Sequence, residues 1–342
     1  MIIKFNPSLF EIEDRAIQRE ILKFILDFLN DSFIWDLDNI NEIFGNDGEF
    51  YNTKFARAMI ADGLSDHLAD NLDLIFKRSS YLTKAHKHYL STITVGTGKN
   101  EIHPLNAHGL LSLASVVVLE NGDNDWNFIK GIVDNYQSQK DRKPIYALIK
   151  KAIDTHRLIP ENAGGSGGIL KRTRFLAEGT YQNFFTVKMA LVFDSDRSNA
   201  SGLNDKWVPL LSWLKKRTFE KKDVLEFESS NSDLIGWHML YKREMENYIP
   251  LEMLYLKAEI KDTNKVTLAS LTPSEHDFYN FDGILVDPEL KNELPTLFQN
   301  KGIRPQLESR CAHHKIQVDI PGEILEEVCE LEKILLIIAK II

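Results

Sequence analysis

The chain has 342 residues, 43% of them hydrophobic and 27% charged, with 41 Lys and Arg against 50 Asp and Glu for a formal net charge of −9. This composition excludes wholesale disorder, and the length exceeds what one small core needs, so two or three domains are expected. The acidic balance argues against a protein that coats nucleic acid indiscriminately, but local basic patches can still contact it.

Along the chain, the first hundred or so residues read as helical. Ile17, Ile21, Phe24, Ile25 and Phe28 recur at helical spacing, as do Leu64, Leu68, Leu72 and Ile75. Thr94 to Asn106, with Gly96, Gly98 and Pro104, reads as a connector, which places a helical domain over residues 1–111. The pattern then changes. Val116 to Leu119 is a short branched run suited to a strand buried on both faces. Ile129, Ile132, Val133 and Tyr136 give the next helix, with Asp125 as its expected N-cap. Ile145 to Ile153 predicts another helix, Arg157 to Pro160 a short segment, and Gly164 to Gly168 a glycine-rich turn.

Val187 to Phe193 is a second strand, and Trp207, Leu210, Leu211 and Leu214 form a helical stripe behind it. Val224 to Phe227 is a third strand, leading to Trp237 to Tyr248. Alternating strands and helices predict an α/β domain over residues 112–258, a parallel sheet flanked by helices. Residues 259–342 form the remaining region: polar and turn-rich from Asp262 to Asn280, with a short helix expected within Leu285 to Leu297. Ile324, Val328, Leu331, Leu335, Ile338 and Ile342 then keep a 4-3-4-3-4 spacing. That seam predicts an assembly helix and a homo-oligomer.

Cys311 and Cys329 are too few for a disulfide framework. The start MIIKFNPSLFEIEDR lacks the features of a signal peptide, and no run reaches the ~20 apolar residues of a membrane span. A cytoplasmic protein without membrane contact is expected. His86, His88, His103 and His108, like Cys311, His313 and His314, lack the paired spacing of a structural zinc site and read as surface residues.

The apolar strands end on acids. Glu120 follows the first, with Asp123 and Asp125 close behind; Asp194 and Asp196 follow the second; Lys242, Arg243 and Glu246 lie in YKREMENYIP. In open α/β sheets the carboxyl ends of parallel strands share one edge, where sites are built. Carboxylates gathered there repel one another unless a hard divalent cation lies between them. Phosphodiester hydrolysis suits such a set, since two Mg²⁺ about 3.5–4 Å apart can activate water, stabilise the leaving oxygen and neutralise the pentacovalent charge.

In this order, a Glu, a glycine-bearing loop, an Asp-x-Asp and a K-R-E-x-E-N-Y resemble the Toprim domain, in the version found in OLD-family (overcoming lysogenization defect) nucleases. The resemblance covers roughly Ser115 to Leu251. It implies a Mg²⁺- or Mn²⁺-dependent endonuclease that cuts DNA, with RNA as the alternative substrate. Glu120, Asp194 and Asp196 would hold the ions, with either Asp123 or Asp125. Glu246 would be a ligand or orient the basic pair, and Lys242 or Arg243 would steady the scissile phosphate. Lys171, Arg172 and Arg174, with Lys215, Lys216 and Arg217, would track the nucleic-acid backbone. OLD proteins carry an ATPase, yet this sequence has no G-x-x-x-x-G-K-[ST] loop. The resemblance therefore implies a stand-alone chain, an effector of anti-phage defence served by a separate ATPase subunit. A catalytically silent scaffold subunit is the reading from a different class.

Overall fold

The computed structural model describes residues 1–30, 32–45, 52–99, 101–178, 186–200, 202–214, 235–256, 260–281, 293–311, 315–320 and 324–342. The chain divides into two units, Met1–Ala114 and Ser115–Ile342. The break falls after Ala114, close to the boundary expected at residue 111, and residues 259–342 belong to the second unit instead of standing apart.

The first unit is α/β, not purely helical. Strands β1 (Ile2–Phe5), β2 (Ile34–Trp35) and β3 (Thr92–Val95) form a parallel sheet in the order β2-β1-β3. Helices α1 (Arg15–Leu29), α2 (Leu37–Phe44), α3 (Lys54–Ala61), α4 (Ser65–His86) and α5 (Pro104–Leu111) complete it. Asp14 caps α1 by accepting from the Ala16 N–H at 2.8 Å, and Ile17, Ile21, Phe24, Ile25 and Phe28 are buried as their spacing requires. Phe5 on the central strand meets Phe10, Phe24, Phe28 and Trp35 edge-on, which fixes the helices around the sheet. The expected connector, Thr94 to Asn106, takes in the end of β3 and the first turn of α5 as well as the link between them. His108 bonds Asp27 at 2.9 Å and His103 caps α5, so these histidines serve the fold.

The second unit begins with β4 (Ser115–Leu119), α6 (Asn124–Tyr136), α7 (Lys143–Asp154), β5 (Leu158–Asn162), α8 (Ser166–Glu178) and β6 (Met189–Phe193). A 3₁₀ turn, Asp205–Trp207, leads into α9 (Val208–Leu214), and β7 (Gly236–Met239) follows. A second 3₁₀ turn, Met245–Tyr248, precedes α10 (Leu251–Leu256), α11 (Asp262–Ser270) and α12 (Pro273–Asp277), where only turns were expected. A third, Leu294–Gln299, precedes α13 (Arg304–Arg310). The strand expected at Val224 to Phe227 lies outside the described residues.

The sheet is wholly parallel, in the order β5-β4-β6-β7. β4 and β6 are its two central strands, and every residue of each is buried. One face, including Val118, Leu191, Phe193 and Trp237, packs with Ile169 and Leu176 of α8 and Leu210 and Leu211 of α9. The chain leaves β4 for one edge of the sheet and passes through β6 to the other. The strand order therefore reverses between β4 and β6, the position where such sheets open a crevice.

The carboxyl-terminal seam is not one helix. Ile324–Cys329 is strand β9, paired antiparallel with β8 (Lys315–Ile320), and α14 (Glu330–Ala339) starts only at Glu330. Every residue of α14 is buried, including Glu330, Glu332 and Lys333. Arg142, just before α7, and Tyr146 within it both donate to Glu332, at 2.9 and 2.7 Å. The apolar positions of the seam's helical part are thus covered by their own unit, which removes the basis for a homo-oligomer built on them. Among the described residues, no helix is long and apolar enough to cross a membrane.

Candidate functional site

Glu120 directly follows β4 and Asp194 directly follows β6, so the two central strands deliver one carboxylate each to the crevice. Both side chains are half-buried. Turns around them are fastened by backbone bonds. The Gly165 N–H reaches the Glu120 carbonyl at 2.8 Å, which ties the glycine turn to the end of β4. Gly164 and Gly165 have φ of +71° and +99°, so this turn requires glycine. Beyond β6, the Asp196 N–H donates to the Arg243 carbonyl at 2.9 Å, and the buried Ser195 hydroxyl donates to the Lys242 carbonyl at 2.7 Å. Asp196 itself sits at φ +50°, a left-handed conformation rare outside glycine and concentrated at functional turns.

A third acidic group arrives from the segment after β7. The Met245 N–H donates to Asp194 Oδ1 at 3.0 Å, which sets the Met245–Tyr248 turn against β6. Glu244 and Glu246 of this segment are buried. From α6, buried Asp125 accepts from the Asn121 N–H at 2.9 Å, inside the first turn and not as the expected cap. Asp123 occupies the N-cap position, is exposed, and makes no side-chain cap bond. Of the two alternatives, Asp125 is the one turned toward the cluster.

The electrostatics follow from this gathering. Burial pushes the Glu120 carboxyl up to about 7; Asp196 and Asp125 add to the rise, while Lys206 and the Asp194 backbone oppose it. Asp194 is driven well above its ordinary range by burial first, then by Asp125, Glu246, Glu120 and Glu244. A buried oxygen of Glu120, Oε1, has no hydrogen-bond partner. Crowded hard oxygen donors with an unsatisfied carboxylate suit a divalent cation such as Mg²⁺. As arranged, however, no group of three or more His, Cys, Asp or Glu among the described residues is set to hold a metal ion. Two cations meet the cluster: the Lys206 ammonium, paired with Asp196, and Arg243, paired with Glu244.

Lys242 is displaced from its expected role. It is fully buried, ion-paired with Asp277 and set over the Tyr248 ring at 5.3 Å. Burial and Arg310 pull its pKa below the ordinary value against the pull of Asp277. Its charge is spent inside the fold. Arg243 remains partly exposed beside the cluster, donating to Glu244 at 2.9 Å and to the Arg197 carbonyl at 3.3 Å. On α8, Lys171 and Arg174 are exposed, whereas Arg172 is drawn to Glu161 at 2.6 Å. Lys215, Lys216 and Arg217 lie outside the described residues. Sequence reasoning missed Ser195, Lys206 and Glu244. The first lies inside the Asp-x-Asp and the last inside K-R-E-x-E-N-Y, so both motifs contained them; nothing in the local pattern marks Lys206.

The raised Glu120 carboxyl gives a signed pH effect. The folded state holds this proton more tightly than the unfolded chain, so between the ordinary pKa of 4.5 and about 7 its contribution falls as pH rises. In metal-free buffer, Glu120→Gln is expected to flatten the melting-temperature profile across this window by a few degrees, its gain over wild type growing toward neutrality. Parallel profiles for the two proteins, measured by calorimetry, would contradict the assignment.

No protein-family model, no curated protein and no solved structure matches this chain.

Proposed function

We propose that the Ser115–Ile342 unit is a metal-dependent phosphodiesterase of the OLD-like Toprim kind, which cuts DNA as an effector of anti-phage defence served by a separate ATPase. One observation supports this reading above the rest: Glu120 and Asp194 leave adjacent central strands at the reversal of strand order, with Asp125, Asp196 and Glu246 drawn to the same edge. Glu120, Asp125, Asp194, Asp196 and Glu246 would hold Mg²⁺ or Mn²⁺. When bound, such an ion lowers the pKa of a water and neutralises charge on a phosphoryl oxygen. Arg243 steadies the phosphate in place of the buried Lys242, and Lys171 and Arg174 track the nucleic-acid backbone.

Binding to the folded state should raise the melting temperature when Mg²⁺ or Mn²⁺ is added. The variant carrying Glu120→Ala, Asp194→Ala and Asp196→Ala should fold and lose that response. An unchanged shift in the variant would remove the site. A second reading, a catalytically silent subunit that binds a partner, is favoured by one observation, the Lys206 ammonium on Asp196. A wild-type protein that shows no response to either ion would favour it.

A further inference from the structure

α8 has a buried face made of Ile169, Thr173, Leu176 and Ala177. Lys171, Arg174, Phe175 and Glu178 are all exposed and stand at i, i+3, i+4 and i+7, so they form one stripe about 10 Å long. An exposed apolar residue alone is ordinary. Phe175, however, is 65% exposed in the middle of a basic stripe and is held in place there. The Arg172 guanidinium lies over its ring, 5.2 Å from the centre, and Arg172 Nε is fixed in turn by Glu161 at 2.6 Å. A second ring and guanidinium adjoin the stripe. Arg174 lies 5.9 Å from the centre of the half-buried Trp213 ring of α9, whose ring N–H donates to Glu178 at 2.9 Å. Two aromatic rings and three cations thus share one surface, in a chain whose net charge is −9. The acids that reach it, Glu161 and Glu178, are engaged with Arg172 and Trp213.

This combination fits one kind of ligand. Cations set along a helix meet phosphates, and an aromatic ring among them stacks on a base. In a duplex the base faces are covered by their neighbours, so a surface ring finds a partner only where bases are unpaired. The surface also adjoins the acidic edge. α8 begins at Ser166, next to Gly165, whose N–H is bonded to the Glu120 carbonyl. Phe175 lies about 14 Å further along the helix, or about four nucleotides at the 3.4 Å rise of a stacked strand. We propose that α8 and Trp213 form a binding surface for single-stranded DNA, with an unpaired base on the open face of Phe175 and flanking phosphates on Lys171 and Arg174. This rests on the cleavage reading above for DNA as the polymer, and goes beyond it in naming an unpaired strand as the substrate. Supercoiled plasmid remains a substrate, since negative supercoiling favours local opening of the duplex.

The test is binding without cleavage. Protein in chelator is mixed with labelled oligodeoxythymidylate of about 20 nucleotides, a duplex of that length, or oligouridylate, and fluorescence anisotropy is read across a salt series. Wild type is expected to bind the single DNA strand about 10-fold more tightly than the duplex. Phe175→Ala should weaken single-strand binding roughly 10-fold and duplex binding by less than about 2-fold, and Phe175→Tyr should restore it. Lys171→Ala and Arg174→Ala should each lower the salt slope by about one. Circular dichroism confirms that each variant is folded. Equal losses on strand and duplex, no loss in Phe175→Ala, a preference for duplex, or no binding of any nucleic acid would overturn the proposal. Tighter binding of oligouridylate would overturn DNA as the ligand. Binding as expected without Mn²⁺-dependent cleavage would leave this surface standing and remove the cleavage reading. Single-strand cleavage that Phe175→Ala leaves intact would do the reverse.

Discussion

Asp194→Asn is expected to reduce Mn²⁺- or Mg²⁺-dependent cleavage of supercoiled plasmid by roughly 100-fold or more, because losing one anionic ligand misplaces both water and phosphate. The amide keeps the oxygen that accepts from the Met245 N–H, so the turn carrying Glu246 stays in place. The same change removes one of the mutually repelling acids around Asp194, so the metal-free protein should melt at a higher temperature than wild type. Activity and stability thus move in opposite directions, a pattern that a merely damaged fold does not produce. Gel assays of nicking alongside calorimetry read both. Equal cleavage by the two proteins would assign the activity to another site or a contaminant, and cleavage confined to RNA would promote the ribonuclease alternative.

Glu330→Ala is expected to be the most destabilising single change in the second unit. The carboxylate is completely buried and accepts from His238 Nε2 at 2.8 Å, the Tyr241 N–H at 2.7 Å and the Tyr248 hydroxyl. Removing it leaves three donors unsatisfied, those of His238 and Tyr248 fully buried, at a cost on the order of 3–5 kcal/mol. Urea unfolding should show an unfolding free energy lowered by that amount, read as a lower midpoint at an unchanged slope. A loss below about 1 kcal/mol would mean that the donors find other partners. The pH sign is also fixed. Burial alone would raise the Glu330 carboxyl, but His238, Tyr248 and the Tyr241 backbone together hold it below its ordinary value. Its contribution is therefore complete above pH 4.5 and is lost as pH falls through the lower, folded value, which Glu330→Ala would abolish.

The central strands of the second unit were legible because SVVVL and MALVF are unbroken apolar runs, and these two strands carry Glu120 and Asp194. The outer strands were not. β5 reads LIPEN and holds Pro160, which only an edge strand tolerates, and β7 is a four-residue edge with a buried histidine. The first unit's sheet escaped notice because IIKF, IW and TITV are too short to show a period, while the helices around them are long and regular.

The seam failed for a different reason. A helix buried on every face, ELEKILLIIA, satisfies almost any spacing, so its heptads carried no information about partners, and the preceding strand extended the pattern by coincidence. Glu330, Glu332 and Lys333 look like a solvated face in sequence. Only tertiary partners such as His238 and Arg142 make them interior residues. The burial of Lys242 was hidden likewise, since its partner Asp277 lies 35 residues away.

The burial of α14 also sets an order of events during synthesis. Ser115, at the start of the first strand, donates its hydroxyl to the carbonyl of Ile341, 226 residues later, and His238 waits 92 residues for Glu330. While the ribosome is still making that stretch, the sheet from Ser115 to Met239 can pair its strands but must leave the face that receives α14 uncovered. Apolar surface exposed in this interval invites misassociation, and closure over such long separations is slow. The turn bearing Glu246 is steadied through Tyr248 by Glu330, so a nascent chain lacks the finished acidic edge until α14 has emerged.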